Sequence, residues 1–167
     1  MNGTLRRLDS VHRKLYSTVR SVDLSLFTKR PAENEWSIGE VVHHLCLVEE
    51  RALAELSKNI NSTTPKVGFF KRLIPMRIVT LRLGRVEAPK VVRPSQTFPE
   101  REQLLSDYDA ARQRLKDFCN KQGSAKLRRT SVQRPLFGYI DGLAAVSMLG
   151  FHEQRHLKQI KQIIKKL

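Results

Sequence analysis

Four stretches of the chain repeat apolar side chains at intervals of three and four residues, the period that lines one face of an α-helix. From about Thr4 to Leu26 the inward positions are Leu5, Leu8, Val11, Leu15, Val19, Val22 and Leu26, which leaves His12 off the stripe and solvated. Lys29 to Asn34 breaks the pattern, because Pro31 and the residue before it both resist helix. A second helix starts at Ser37-Ile38-Gly39-Glu40, a Ser-x-x-Glu capping box, and runs to about Ile60 through Val41, Leu45, Val48, Ala52 and Leu56. Trp36, just before the cap, is placed to staple against the first turn. A third spans Glu100 to Gln122 with Leu104, Leu105, Tyr108, Ala111, Leu115 and Phe118 inward, and Gly123 is its expected stop. The fourth begins near Ile140 or Asp141 and continues to the C-terminus, where Lys158, Lys161, Lys165 and Lys166 complement the negative end of the helix dipole.

The segment from Asn61 to Pro99 is the least regular. Its prolines allow a short helix or turn around Phe69 to Leu83 and an extended crossing from Ala88 to Ser95. A second basic loop, Lys126 to Arg134, precedes the fourth helix. With no convincing strand pairing, the pattern predicts an all-α chain: an up-and-down four-helix bundle with a long connection between the second and third helices. A length of 167 residues fits a single domain, 1–167, with a sizeable core.

Composition narrows the class. At 40% hydrophobic and 28% charged the chain is globular, and it has neither an apolar run of about 20 residues nor a signal-peptide pattern, so a cytoplasmic location is expected. Cys46 and Cys119 form no close-spaced motif and read as buried free thiols. The net charge of +15 favours anionic partners, and the connection carries much of it, with eight Lys/Arg and one acid between Lys66 and Arg93.

The candidate chemistry lies in the fourth helix. His152 and His156 are one turn apart and leave the same face, so both imidazoles can converge on one point. They interrupt the apolar stripe Leu149, Ile160, Ile163, Leu167, where buried bases need partners. Two histidines at this spacing are good ligands for zinc, nickel, iron or copper, given a third ligand from a facing helix. His44 adjoins the inner stripe of the second helix and is the best-placed candidate; His43 points about 100° away. A carboxylate or backbone carbonyl could satisfy the pair instead. Glu49, Glu50 and Glu153 are the nearby acids, and they read as surface or supporting groups, not as ligands.

Two motifs carry a family resemblance. Trp36-Ser37-Ile38-Gly39-Glu40-Val41-Val42-His43-His44-Leu45 resembles the Trp-Ser-x-x-Glu-Val-x-x-His-Leu motif of the DinB/YfiT-like superfamily, and Phe151-His152-Glu153-Gln154-Arg155-His156-Leu157-Lys158-Gln159-Ile160 resembles its His-x-x-x-His-x-x-Gln-Ile motif. Arg134-Pro135-Leu136-Phe137-Gly138 resembles the approach to the last helix in that family. The resemblance spans Phe27 to Leu167 and implies a four-helix bundle holding a divalent transition metal through His44, His152 and His156. It implies a metal-dependent hydrolase, or a transferase or isomerase using a low-molecular-weight thiol, acting on a small molecule as a homodimer. No general acid or base can be named. The competing expectation is a basic, non-enzymatic module that binds nucleic acid through the basic connection and the Lys126 to Arg134 loop, or an anionic membrane surface through Val67 to Ile74. The first is disfavoured by the lack of a recognisable binding motif and only 7% aromatic residues, the second because those side chains can pack back on the bundle or across a dimer.

Overall fold

The computed structural model describes residues 1–61, 89–95, 97–134 and 138–167. The expected turn around Phe69 to Leu83 and most of the basic connection lie outside these residues, as do Val67 to Ile74 and Pro135 to Phe137.

The long helices are α1 (Asn2–Arg20), α3 (Ile38–Asn59), α4 (Arg101–Arg129) and α5 (Gly142–Lys166), and they form the expected four-helix bundle. α1 packs chiefly on α5 and α3 on α4, with α5 also against α3 and α4. The first helix ends earlier than its stripe. Asp23 accepts a hydrogen bond from the Ser25 amide at 2.8 Å and caps a separate short helix, α2 (Leu24–Phe27), so Val22 and Leu26 belong to a turn and to α2. The capping box of α3 is present in full: Ser37 Oγ accepts from the Glu40 amide at 3.2 Å, and Glu40 Oε2 accepts from the Ser37 amide at 2.8 Å. Gly39 in this first turn lets the Phe98 ring close over it, since a Cβ there would stand 2.3 Å from that ring.

Gly123 breaks the third helix as expected, at φ 75 and ψ 158, but helical structure resumes beyond it to Arg129. The expected basic loop is therefore partly helix and partly strand. β1 (Ser131–Arg134) pairs antiparallel with β2 (Gly138–Asp141), a hairpin that the sequence pattern did not reveal because four residues are too few to display alternation. Its register opposes the buried Val132 and Ile140 and brings the Gly142 amide to the Thr130 carbonyl at 2.9 Å. Asp141 then caps α5 by accepting from the Ala144 amide at 2.8 Å, so the hairpin sets where the last helix begins.

The core consists of two apolar clusters separated by a polar layer. One gathers Leu15, Val41, Leu105 and Ile160; the other gathers Leu8, Leu56, Leu115 and Val146. On each long helix a buried polar residue falls, in sequence, between the stretches feeding the two clusters: His12, Glu49, Arg112 and Glu153. Arg112 donates through Nε and Nη2 to both oxygens of Glu49 at 2.6 and 2.9 Å, through Nη2 to Glu153 at 3.0 Å, and through Nη1 to the Leu8 carbonyl at 3.0 Å. Tyr108 donates to Glu153 at 2.9 Å. His12 contradicts its solvated assignment: it is 7% exposed, bonded through Nδ1 to Glu153 at 3.1 Å and through Nε2 to Asp109. Burial works against its charge, but the Glu153 and Asp109 carboxylates outweigh that and raise its pKa above the ordinary value.

Two outcomes are expected. Ser37→Ala removes a buried cap and should cost about 1 kcal/mol, read as a lower urea midpoint with an unchanged m-value. His12 binds a proton more tightly folded than unfolded, so its contribution is full below the unfolded pKa of about 6.5 and is lost as pH rises through the raised folded value. The stability gap between wild type and His12→Gln should therefore be wider at about pH 5.5 than at about pH 9 in urea denaturation.

Candidate metal centre

His44 projects from the second turn of α3, a position fixed by the Ser37 cap, while His152 and His156 project from the middle of α5. The structure brings the three together: one ring nitrogen from each lies within 4.8 Å of the other two, and their ring centroids are 4.5 to 5.3 Å apart. His43 does not join them. It is half-buried and its ring lies 6.1 Å from that of Phe98.

Hydrogen bonds assign the tautomers. Nδ1 of His44 lies 2.6 Å from the Val92 carbonyl, which can only accept, so Nδ1 carries the proton and Nε2 the lone pair. Nδ1 of His156 lies 2.8 Å from Gln159 Oε1, with the same consequence. Nε2 of His156 and Nε2 of His152 are 3.1 Å apart. Among the described residues Nδ1 of His152 is buried with no hydrogen-bond partner, so it is unsatisfied in either tautomer, as a lone pair if Nε2 donates across that gap and as an N–H if Nδ1 carries the proton. The latter turns the His152 Nε2 lone pair to the same point as the other two. Two nitrogens bound tetrahedrally to one ion at about 2.0–2.1 Å stand about 3.3 Å apart, close to the 3.1 Å between His152 and His156, and the nitrogen of His44 lies within 4.8 Å of both. The residues fit a metal ion.

Electrostatics agree. Burial, then the neighbouring His44 and Arg155, pushes the His152 pKa down to about 3. Burial followed by His152 and His44 holds His156 well below its usual value, and burial, against the pull of the Val92 carbonyl, lowers His44. All three are neutral at physiological pH, the form that binds metal. With three nitrogen donors and no carboxylate in the cluster among the described residues, the chemistry suits a borderline transition ion, not magnesium or calcium. Among the described residues the donor set numbers three, one fewer than a closed structural zinc site uses. The Trp36 ring packs on His44 at 5.0 Å between centroids.

The acids are elsewhere. Glu50 is exposed and pairs with Arg114 at 3.2 Å, whereas Glu49 and Glu153 are buried in the Arg112 layer, not at the surface. Cys46 and Cys119 are free and buried, and burial pushes their thiols up to about 12 and about 11, so neither is a reactive thiolate. Gln159, at i+3 from His156, could have been recognised as its orienting partner from spacing alone; the Val92 carbonyl could not, because it comes from the one-turn 3₁₀ helix Lys90–Val92 in the connection.

Known proteins of similar sequence and fold bear on this. The chain is 27% identical over 143 residues to the uncharacterized protein YuaE of Bacillus subtilis (strain 168), covering 83% of each. Its fold matches TT2238, a four-helix bundle protein, with a TM-score of 0.64 at 20% identity, covering 96% of this chain and 98% of that one. It also matches YfiT from Bacillus subtilis, described as a probable metal-dependent hydrolase with an unusual four-helix bundle topology, with a TM-score of 0.67 at 14% identity over 98% of this chain and 85% of that one. Residues 7–160 match the model of one family, and on that match the chain belongs to the DinB superfamily.

Proposed function

We propose that this chain is a metal-dependent enzyme, most simply a hydrolase, that acts on a small molecule at the His44–His152–His156 cluster. The observation that carries the reading is the convergence of three neutral imidazoles, two of them held by Val92 and Gln159 with Nε2 free to bind. A divalent ion held there would polarise a substrate oxygen and acidify water or a thiol. The chain's own residues bind and orient. Val92 and Gln159 fix the rings of His44 and His156, and Trp36 covers one side of His44, limiting approach from that direction. The charge of +15 favours an anionic substrate or an anionic thiol cosubstrate; in the latter case the reaction is a thiol-dependent transfer. The description of YfiT as a probable metal-dependent hydrolase supports the hydrolytic form.

Protein purified without an affinity tag and supplied with zinc, nickel or iron should retain about one equivalent of metal per chain. Retention of less than half an equivalent would sink the reading. His156→Ala should lose the metal while its helical circular dichroism is kept. Gln159→Leu frees the His156 ring without removing a ligand, so it should weaken metal binding about 10–100-fold, measured by chelator competition.

A further inference from the structure

The Arg112 layer has no part in the reaction described above, yet it joins the same two helices that carry the histidines. Glu49 lies on α3, five residues after His44; Glu153 lies on α5, next to His152 and three residues before His156. One guanidinium on α4 binds both carboxylates, and its remaining arm holds the Leu8 carbonyl of α1. The groups are almost wholly inside: the side chains of Arg112, Glu49 and Glu153 are 4%, 3% and 1% exposed.

The apolar stripes alone fix the roll of a helix poorly, because hydrophobic burial is non-directional. Hydrogen bonds to a planar, forked donor are directional. The distinction matters at the triad. A roll of about 20° moves a side-chain end lying about 5–6 Å from the helix axis by about 2 Å. That displacement equals a whole metal–nitrogen bond of about 2.0–2.1 Å.

We propose that Arg112 is a positioning residue for the metal centre: by binding Glu49 and Glu153 with one guanidinium, it fixes the roll of α3 against α5 and so sets the spacing between His44 and the His152–His156 pair. The inference rests on the triad being a metal centre. Tyr108 and His12 complete the device by holding the other oxygen of Glu153, which keeps that carboxylate turned to the arginine.

The test uses cobalt(II) as probe, with affinity from chelator competition and ligand geometry from visible d–d absorption. Wild type, Arg112→Lys, Glu153→Gln and Glu50→Gln are compared. Arg112→Lys keeps the charge and loses the fork. Glu50→Gln removes a charge from α3 at an exposed position outside the layer. Arg112→Lys and Glu153→Gln should bind cobalt about 10–100-fold more weakly than wild type, with an altered d–d spectrum of the bound ion, and Glu50→Gln should match wild type in both. If Arg112→Lys and Glu153→Gln are merely less stable, and their folded fraction binds cobalt with wild-type affinity and spectrum, the proposal is overturned while the metal centre stands. If wild type itself binds no cobalt, the metal centre fails and the proposal fails with it. Should Arg112→Lys not fold, Glu153→Gln and Glu49→Gln decide by the same comparison.

Discussion

A guanidinium buried at the middle of a helical bundle can persist only if its donors are answered, and the answer given to Arg112 organises the structure. Desolvating such a charge costs several kcal/mol, and a lone arginine there would not be tolerated. Two carboxylates, a backbone carbonyl and a tyrosine hydroxyl surround it, contributed by all four long helices. Burial acts to strip the proton from Arg112, but Tyr108, Glu49 and Glu153 outweigh it and hold the group charged. His12, whose pKa is raised against burial by Glu153 and Asp109, adds a group to the layer that is positive when protonated. Within the layer Arg112 and the two carboxylates answer one another, so removing the arginine leaves buried charge unanswered, at about 3–5 kcal/mol.

Such a layer contributes specificity more than net stability, because well-packed apolar residues of equal volume would often do as well energetically. What apolar residues could not do is define register. Between two clusters of leucine, valine and isoleucine, helices could slide or rotate with modest loss; the forked bonds of Arg112 permit one arrangement. α5 is thereby held at two points along its length, at the Asp141 cap supplied by the hairpin and at Glu153. The two histidines of α5 flank the second point.

The four helices, the Ser37 cap, the break at Gly123 and the choice of His44 over His43 were legible in the sequence because each has a local cause. The polar layer was not, and the reason is specific. A three–four repeat does not define one stripe uniquely: Leu8, His12, Leu15, Val19 is as regular as Leu8, Val11, Leu15, Val19, and so are Leu45, Glu49, Ala52, Leu56 and Tyr108, Arg112, Leu115, Cys119. On α5 the alternative is Leu149, Glu153, His156, Ile160, which places Glu153 nearer the centre of the buried face than His152. Preferring the apolar choice at each ambiguity pushed His12, Glu49, Arg112 and Glu153 outward. Only their mutual hydrogen bonds, which join residues 41 to 141 positions apart, make the polar choice favourable. The same is true of the Val92 carbonyl on His44, 48 residues away.

Engaging Glu49 and Glu153 elsewhere also bears on the chemistry of the triad. Metal-ligating histidines in other sites are commonly backed by carboxylates, which make the imidazole more basic and offset the charge of the ion. Here the backing groups are neutral, a main-chain carbonyl and a glutamine amide, while the nearest buried acids are committed to Arg112 and His12. Among the described residues, the supports of the three imidazoles would leave the charge of a divalent ion uncompensated. The two polar systems on α5 are thus separated, acids to the core layer and bases to the triad.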